Sequence, residues 1–261
     1  MTSTEQGRHK YDQLADKYEE IFPYVADVGR LLVDHARPAA GARVLDVGAG
    51  RGAVARAALA AGCDVTAVDA SAGMVARMAM DFPDIVARQM DAGGLDFPDG
   101  SFDLVTAGFV MQVLPDPDVA LAEFRRVLAP GGTLALSLEK QTVGRLRWLF
   151  ELAGEFFGVP VPGDDEESSG AMTSRRLNAL IEQAGFTDLA TDSVEMPVPL
   201  AGPEALWDWL RPRGLTDAVG RLPAEQAEQF HIRFLAGAEH MRTAGGISLD
   251  FRATLHVASR P

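Results

Sequence analysis

The chain has 261 residues and a formal charge of −13, with 47% hydrophobic and 23% charged residues, an ordinary balance for a globular protein built on one large domain. Such acidity repels phosphate backbones and argues against a nucleic-acid substrate. The N-terminus MTSTEQGRHKYDQLADKYEE has no apolar stretch of secretory type, no run approaches the ~18 apolar residues that span a bilayer, and the single Cys63 allows neither a disulfide nor a Cys/His zinc cluster. A cytoplasmic protein without membrane insertion and without a metal is the expectation.

Residues 1–40 read as a helical lead-in. From 41 to 139 strand-like and helix-like segments alternate, the mark of βαβ units and a parallel sheet. ARVLDVG (42–48) is an apolar run ending in glycine; RGAVARAALAAG (51–62) is a helix closing on Gly62. DVTAVDA (64–70) is a second strand, and Ser71 caps a helix to about Met80. IVARQMD (85–91) and FDLVTAG (102–108) are the third and fourth strands. A helix from Asp116 or Asp118 through LAEFRRVL stops at Pro130-Gly131-Gly132, before the strand TLALSLE (133–139). The pattern then changes. Residues 140–172 form a first insertion, helical and aromatic over 143–157, with an acidic Gly/Ser-rich stretch at 161–170. Helix 173–184 and strand 186–196 return to the core, 197–245 is a second, helical insertion, and ISLDFRATLHVAS (247–259) lies in a final core segment, 246–261. This predicts a doubly wound α/β fold on seven strands, with the two insertions as helical lids over the carboxyl strand ends, where such sheets bind ligands.

VLDVGAGRG (44–52) runs from a strand into glycine at every second position. That turn offers backbone N–H groups to a ligand at close approach. The dinucleotide fingerprint G-x-G-x-x-G is a near relative, but here the spacing is G-x-G-x-G, Asp46 stands two residues before the first glycine, and Asp69 ends the next strand. A carboxylate beside a pyrophosphate costs affinity, whereas an ammonium or sulfonium gains from it. S-adenosylmethionine carries both cations, a ribose for Asp69, and no phosphate. It is favoured over NAD.

These residues carry a resemblance. VLDVGAGRG and VTAVDAS, then MDAGGLDFPDGSFDLVTAGFVMQVLPDP and LAEFRRVLAPGGTLALS, look like successive motifs of class I S-adenosylmethionine-dependent methyltransferases. The small-molecule group, which includes enzymes of ubiquinone and menaquinone biosynthesis, is the nearest, and YDQLADKYEEIF is similar to the segment that precedes its first motif. The match runs over about 11–139. It implies a mostly parallel sheet with an antiparallel last strand. It also implies that Gly48, Ala49 and Gly50 line the methionine moiety of the cofactor, with Asp46 supporting its ammonium group, and that Asp69 clasps the ribose. Ala70 and Met74 would pack on the adenine, Asp91 and Ala92 would meet its edge, and Gly108 and Tyr18 would approach the methionine side. Gly108 stands where the group often has a larger residue, which predicts a more open wall there.

Methyl transfer from a sulfonium leans on proximity and orientation. A base is needed only if the acceptor must lose a proton. By residue type and position His231, His9 and Tyr11 are the candidates, with His35 and His256 read as structural. Phe109 and Gln112, at the mouth of the fourth strand, and Trp148 and Trp207, in the insertions, are candidate acceptor contacts; at helical spacing the aromatics equally suit a core. The expected function is methyl transfer to a small apolar or aromatic molecule of secondary metabolism, at oxygen or carbon, with no nucleic-acid partner. A protein that binds the donor without transfer, as a cyclase or regulatory module, is the alternative. An NAD-dependent oxidoreductase is disfavoured by Asp46, by the glycine spacing and by the lack of a Tyr-x-x-x-Lys pair. Acceptor and oligomeric state are not legible.

Overall fold

The computed structural model describes residues 11–140, 144–161 and 172–261 and divides into two compact units. The first comprises Met1–Lys140, Met172–Val194 and Ala253–Pro261; the second comprises Gln141–Ala171 and Glu195–Arg252. Along the chain, α1 (Tyr18–Ile21) and α2 (Val25–Ala36) lead into β1 (Arg43–Val47), α3 (Ala53–Ala60), β2 (Asp64–Asp69), α4 (Ala72–Asp81) and β3 (Val86–Gln89). β4 (Phe102–Gly108), α5 (Pro117–Val127) and β5 (Leu128–Lys140) follow. Then come α6 (Arg147–Phe157), α7 (Ser174–Gln183), β6 (Thr187–Leu200), α8 (Pro203–Leu210), α9 (Leu215–Val219), α10 (Ala224–Glu239) and β7 (Ile247–Ser259). No helix among the described residues is long and apolar enough to cross a membrane.

The seven strands form one sheet in the order β3-β2-β1-β4-β5-β7-β6, parallel except for the last strand. β1 and β4 are central, and their residues are buried almost without interruption. That burial accounts for the unbroken apolar runs that mark them in the sequence, because helices cover both faces of a parallel sheet. On one face Phe124 and Leu121 of α5 and Leu177 and Ile181 of α7 pack on Leu45, Val105, Leu134 and Leu136. The caps follow the sequence: Ser71 Oγ accepts from Met74 N at 3.1 Å, and Thr173 Oγ1 from Arg176 N at 3.1 Å.

Three strand boundaries differ from expectation, each for a local reason. β5 starts at Leu128, five residues early, because Pro130-Gly131-Gly132 is a bulge inside the strand rather than a break before it. Its register jumps from Phe102↔Leu128 to Leu104↔Thr133, and Gly131 N and Gly132 O are both bonded to the backbone of Arg260 at 2.8 Å. β3 is short because Asp91 leaves the ladder to turn back on Gly94. β6 runs on to Leu200 through Pro197 and Pro199, which an edge strand tolerates because one side needs no N–H donor.

The second unit is organised by α10. Phe230 and Phe234 are fully buried, Phe156, Phe157 and Trp207 gather on Phe230 with centroids 5.1–6.2 Å away, and Trp148 meets Phe234 at 5.5 Å. Arg233 of α10 holds Glu155 of α6 through both guanidinium nitrogens, at 2.6 and 3.0 Å.

Within the first unit, His256 is 1% exposed. Its Nδ1 lies 2.6 Å from Asn178 Oδ1, and its Nε2 lies 2.9 Å from Thr254 Oγ1, so a neutral ring with Nδ1–H satisfies both partners. Burial pushes its pKa down to about 4. An unfolded chain, with an ordinary imidazole, takes up the proton first as pH falls. Stability should therefore drop between about pH 6.5 and 4, by roughly 3 kcal/mol in all for this group. Urea midpoints measured across that range should show the slope, and His256→Gln should flatten it.

Candidate functional site

The order of the sheet reverses between β1 and β4, and parallel α/β sheets bind ligands at the carboxyl ends of strands at such a point. Register brings Asp46 opposite Thr106, and β1 runs directly into the glycine turn. Gly48, Gly50 and Gly52 all have left-handed backbones, with φ of +65, +55 and +81°, which glycine alone adopts without cost. A Cβ on Gly48 would lie 2.4 Å from Val110 Cγ2, whereas one on Gly50 would meet nothing nearer than Tyr18 Cε1 at 4.0 Å. The first glycine is required by packing; the second leaves space.

The turn does not offer the N–H groups that the sequence suggested. Ala49 N donates to Val68 O at 3.0 Å, Gly52 N to Ala49 O at 2.8 Å, and Gly50 N to Asp69 Oδ2 at 2.8 Å. With those donors committed inside the protein, the glycines supply surface and room, which suits a phosphate poorly. Beside them is a cavity of about 200 Å3, bounded by the turn, Asp46, Gly108, Phe109, the start of α2 and the ring of Tyr18.

Asp46 is 1% exposed. One carboxyl oxygen accepts from Ala55 N at 3.0 Å and the other from Thr106 Oγ1 at 2.9 Å. Burial nevertheless lifts its pKa to about 7, against the pull of those two bonds. Asp69 is raised by burial as well, while the N–H groups of Ser71 and Gly50 oppose the shift. Its Oδ1 accepts from Ser71 N at 2.8 Å and its Oδ2 from Gly50 N. The N–H of Ala70 opposes the shift too, and a carboxylate with about four acceptor positions keeps capacity beyond these three backbone partners. Capping of α4 falls to Ser71 rather than to Asp69.

The other expected cofactor positions divide. Asp91 is exposed next to the end of β2 and accepts from Gly93 N at 3.0 Å, with Ala92 buried beside it. Ala70 is partly open, but Met74 is 1% exposed and belongs to the core under α4. Gly108 corrects an expectation: a Cβ there would sit 3.1 Å from Val54 Cγ2, so the wall is closed by Val54 instead of being open.

Tyr11 and Tyr18 meet edge to face at 6.4 Å. Burial, with Asp69 and Glu139 adding to it, raises the pKa of both phenols, which keeps them protonated. A phenol so held can donate a hydrogen bond. His9 lies outside the described residues. His231 belongs to the second unit, its ring 4.2 Å from that of Trp207 and its Nε2 3.8 Å from Glu204 Oε2. Trp148 and Trp207 lie in the same aromatic cluster, and Trp148 Nε1 donates to Met241 Sδ at 3.1 Å. Gln112 Oε1 accepts from Glu139 N at 3.1 Å, which ties the loop after β4 to the end of β5.

Phe109 is a residue whose conformation the sequence does not announce. It has φ of +58°, an uncommon state for a bulky side chain, worth of order 1–3 kcal/mol of strain. Ser137 holds it there: Phe109 N donates to both the carbonyl oxygen and Oγ of Ser137, each at 3.1 Å. The ring faces the cavity and meets Tyr24 at 6.3 Å. Arg51 and Asp12, also missed, link the turn and α4 to the lead-in.

Residues 45–136 match a family described as a methyltransferase domain. The chain is 28% identical over 178 residues to trans-aconitate 2-methyltransferase of Deinococcus radiodurans, covering 66% of this chain and 69% of that protein. It is 38% identical over 147 residues to demethylmenaquinone methyltransferase of Renibacterium salmoninarum, covering 54% of this chain but only 62% of the relative's length. Aklanonic acid methyltransferase of a Streptomyces strain is 34% identical over 136 residues, with 49% and 62% covered. Among solved structures, the YcgJ protein of a Bacillus superimposes with a TM-score of 0.57 at 22% identity, over 88% of this chain and 96% of that one. The [4+2]-cyclase SpnF does so with 0.55 at 21%, over 90% and 80%. Both likenesses are of fold.

Two glycine substitutions should separate packing from ligand space. Gly48→Ala should cost about 2–4 kcal/mol, from a left-handed alanine and the clash with Val110. Gly50→Ala should cost only about 1 kcal/mol, yet it places a methyl at the cavity. Urea midpoints check both values.

Proposed function

We propose that this chain, similar over 45–136 to a methyltransferase domain and to small-molecule methyltransferases, is a class I S-adenosylmethionine-dependent methyltransferase that methylates a small apolar or aromatic molecule at oxygen or carbon. When bound, S-adenosylmethionine supplies a methyl group already activated by its sulfonium. The observation that carries the reading is the glycine turn at the switch point: the N–H groups of Ala49, Gly50 and Gly52 are bonded within the protein, its middle glycine is open, and a buried carboxylate stands behind it. Those features fit a cationic amino-acid tail and fit a pyrophosphate badly.

Each residue then has a task. Gly48, Ala49 and Gly50 give the methionine portion its seat, and Asp46 provides the negative charge beneath it. Asp69 uses its remaining acceptor capacity for the ribose hydroxyls, and Asp91 with Ala92 meets the adenine edge. Tyr18 and Phe109 exclude water around the cavity with their rings. Among the described residues that line the cavity there is no histidine, and burial raises the pKa of both phenols. The part of these residues in the reaction is to orient and desolvate the reactants. It suits an acceptor that arrives nucleophilic, as a phenolate or a stabilised carbanion. Gln112 and Phe109 are the proposed acceptor contacts.

The second reading, donor binding without transfer, draws on the fold shared with the cyclase SpnF. Incubation with methyl-labelled donor and a metabolite extract separates the two. Label in a small molecule supports transfer; donor binding with no label in any product supports the second reading.

Calorimetry with S-adenosylmethionine, S-adenosylhomocysteine and NAD tests the family assignment at the site, and tight NAD binding with no response to the adenosyl ligands would overturn it. Asp69→Ala should weaken adenosyl-ligand binding by about 2–3 kcal/mol, as two hydrogen bonds to a charged group are lost. The pKa of Asp46, about 7, makes binding pH-dependent. A cationic ligand favours the ionised carboxylate, so affinity should rise as pH increases through 7, with proton release on binding. Titrations in buffers of different ionisation heats detect that proton, and Asp46→Asn should abolish its release.

A further inference from the structure

The arginine inside the glycine turn is not facing solvent. Arg51 lies between Gly50 and Gly52 and is 8% exposed. Its Nη1 donates to the carbonyl of Ala15 at 2.7 Å, and its Nη2 reaches Asp81 Oδ2 at the end of α4 at 2.5 Å, with Glu19 Oε2 3.9 Å away. Ala15 is itself buried and sits in the chain between Tyr11 and Tyr18, so one guanidinium fixes the peptide that carries both rings.

Three further contacts run along the same segment. Asp12 Oδ1 accepts from Ser71 Oγ at 2.5 Å and from Gly73 N at 3.0 Å, next to Asp69. Asp16 stands 3.3 Å from Arg77, and Glu19 stands 3.2 Å from Arg56. Asp12, Asp16 and Glu19 are thus spaced four and three residues apart and meet cationic or N–H partners on α3, α4 and the turn. Asp16 and Glu19 are 81% and 45% exposed, so their pairs are weak singly and screened by salt. The bond to Ala15 O is the buried one. If the segment lifts, Arg51 keeps Asp81 and stays neutralised, so opening strands no charge.

We propose that Arg51 is a positioning residue that fastens residues 11–22 over the glycine turn, making closure of this segment and occupation of the cofactor seat one coupled event. The inference rests on the methyltransferase reading of that seat. Tyr18 is the mechanical link: its ring borders the open side of Gly50, so a ligand on Gly50 touches the ring that Arg51 holds in place. Ligand contact favours the closed segment, and closure favours the ligand by the same factor.

The test uses the full chain, S-adenosylhomocysteine as probe, calorimetry at low and high salt, and amide hydrogen exchange of residues 11–22. In the wild type the probe should slow exchange there. Arg51→Met should speed exchange in the unliganded protein, weaken probe binding at least tenfold and remove the probe's protection. Arg51→Lys, with one donor group in place of a fork, should fall between. The surface double variant D16N/E19Q, which leaves the core untouched, should weaken binding several-fold at low salt and flatten its salt dependence. Arg51→Met binding with wild-type affinity, or D16N/E19Q with an unaltered salt slope, would overturn the proposal. A wild type that fails to bind the probe overturns the methyltransferase reading instead, and the unliganded exchange of Arg51→Met still decides whether the fastening exists.

Discussion

Asp46, one residue from the end of β1, has each carboxyl oxygen bound to a different element: the backbone of α3 through Ala55 N, and β4 through Thr106 Oγ1. That one side chain sets the angle at which α3 leaves the sheet and the spacing of the two strands between which its order reverses. The glycine turn has to fit between those fixed points, and its three left-handed residues are the consequence. Burial raises the proton affinity of the same group to near neutrality. In the proposed role, a cation arriving beside it would offset that desolvation and favour the ionised carboxylate.

Beyond Asp46 the site is a set of backbone commitments. The N–H of Gly50 goes to Asp69 and that of Ala49 to Val68, so β1 and β2 are joined at their carboxyl ends by a side chain as well as by the ladder. This joint explains how Asp69 can brace the turn and still face a ligand, with the capping of α4 left to Ser71. Burial, with the charges of Asp69 and Glu139 adding to it, raises the proton affinity of both phenols. The pocket is consequently proton-retentive, and chemistry that runs in it depends on placement rather than on a strong base.

What could be read in the sequence follows from how local the signals are. Strands β1, β2 and β4 are buried on both sides, so they appear as apolar runs closed by glycine or aspartate, and the Ser71 and Thr173 caps fall where hydroxyl residues precede helices. The Pro130-Gly131-Gly132 bulge was misread as a stop because its partner, Arg260, lies more than a hundred residues away. Arg51 and Asp12 escaped for the same reason: a guanidinium that seeks a carbonyl at position 15 and a carboxylate that seeks Ser71 look, in one dimension, like any surface charge. For the aromatics of the second unit, helical spacing leaves pocket and core both open; Trp148, Trp207, Phe230 and Phe234 pair with one another across helices distant in sequence. Gly108 shows the limit of reading size from one position: the missing side chain is replaced by Val54 from the next helix.

Phe109 gives this architecture a particular evolutionary grain. Its backbone is left-handed before any side chain is chosen, because Ser137 takes its N–H and the chain must bend past Gly48. Drift at that position is therefore filtered twice, first by backbone tolerance, which admits glycine, asparagine and aspartate readily and penalises β-branched residues, and then by what the cavity accepts. Shape changes in the pocket wall along this lineage should come in abrupt steps, from an aromatic to a small or polar residue. Gradual trimming through valine or isoleucine is closed off by the main chain.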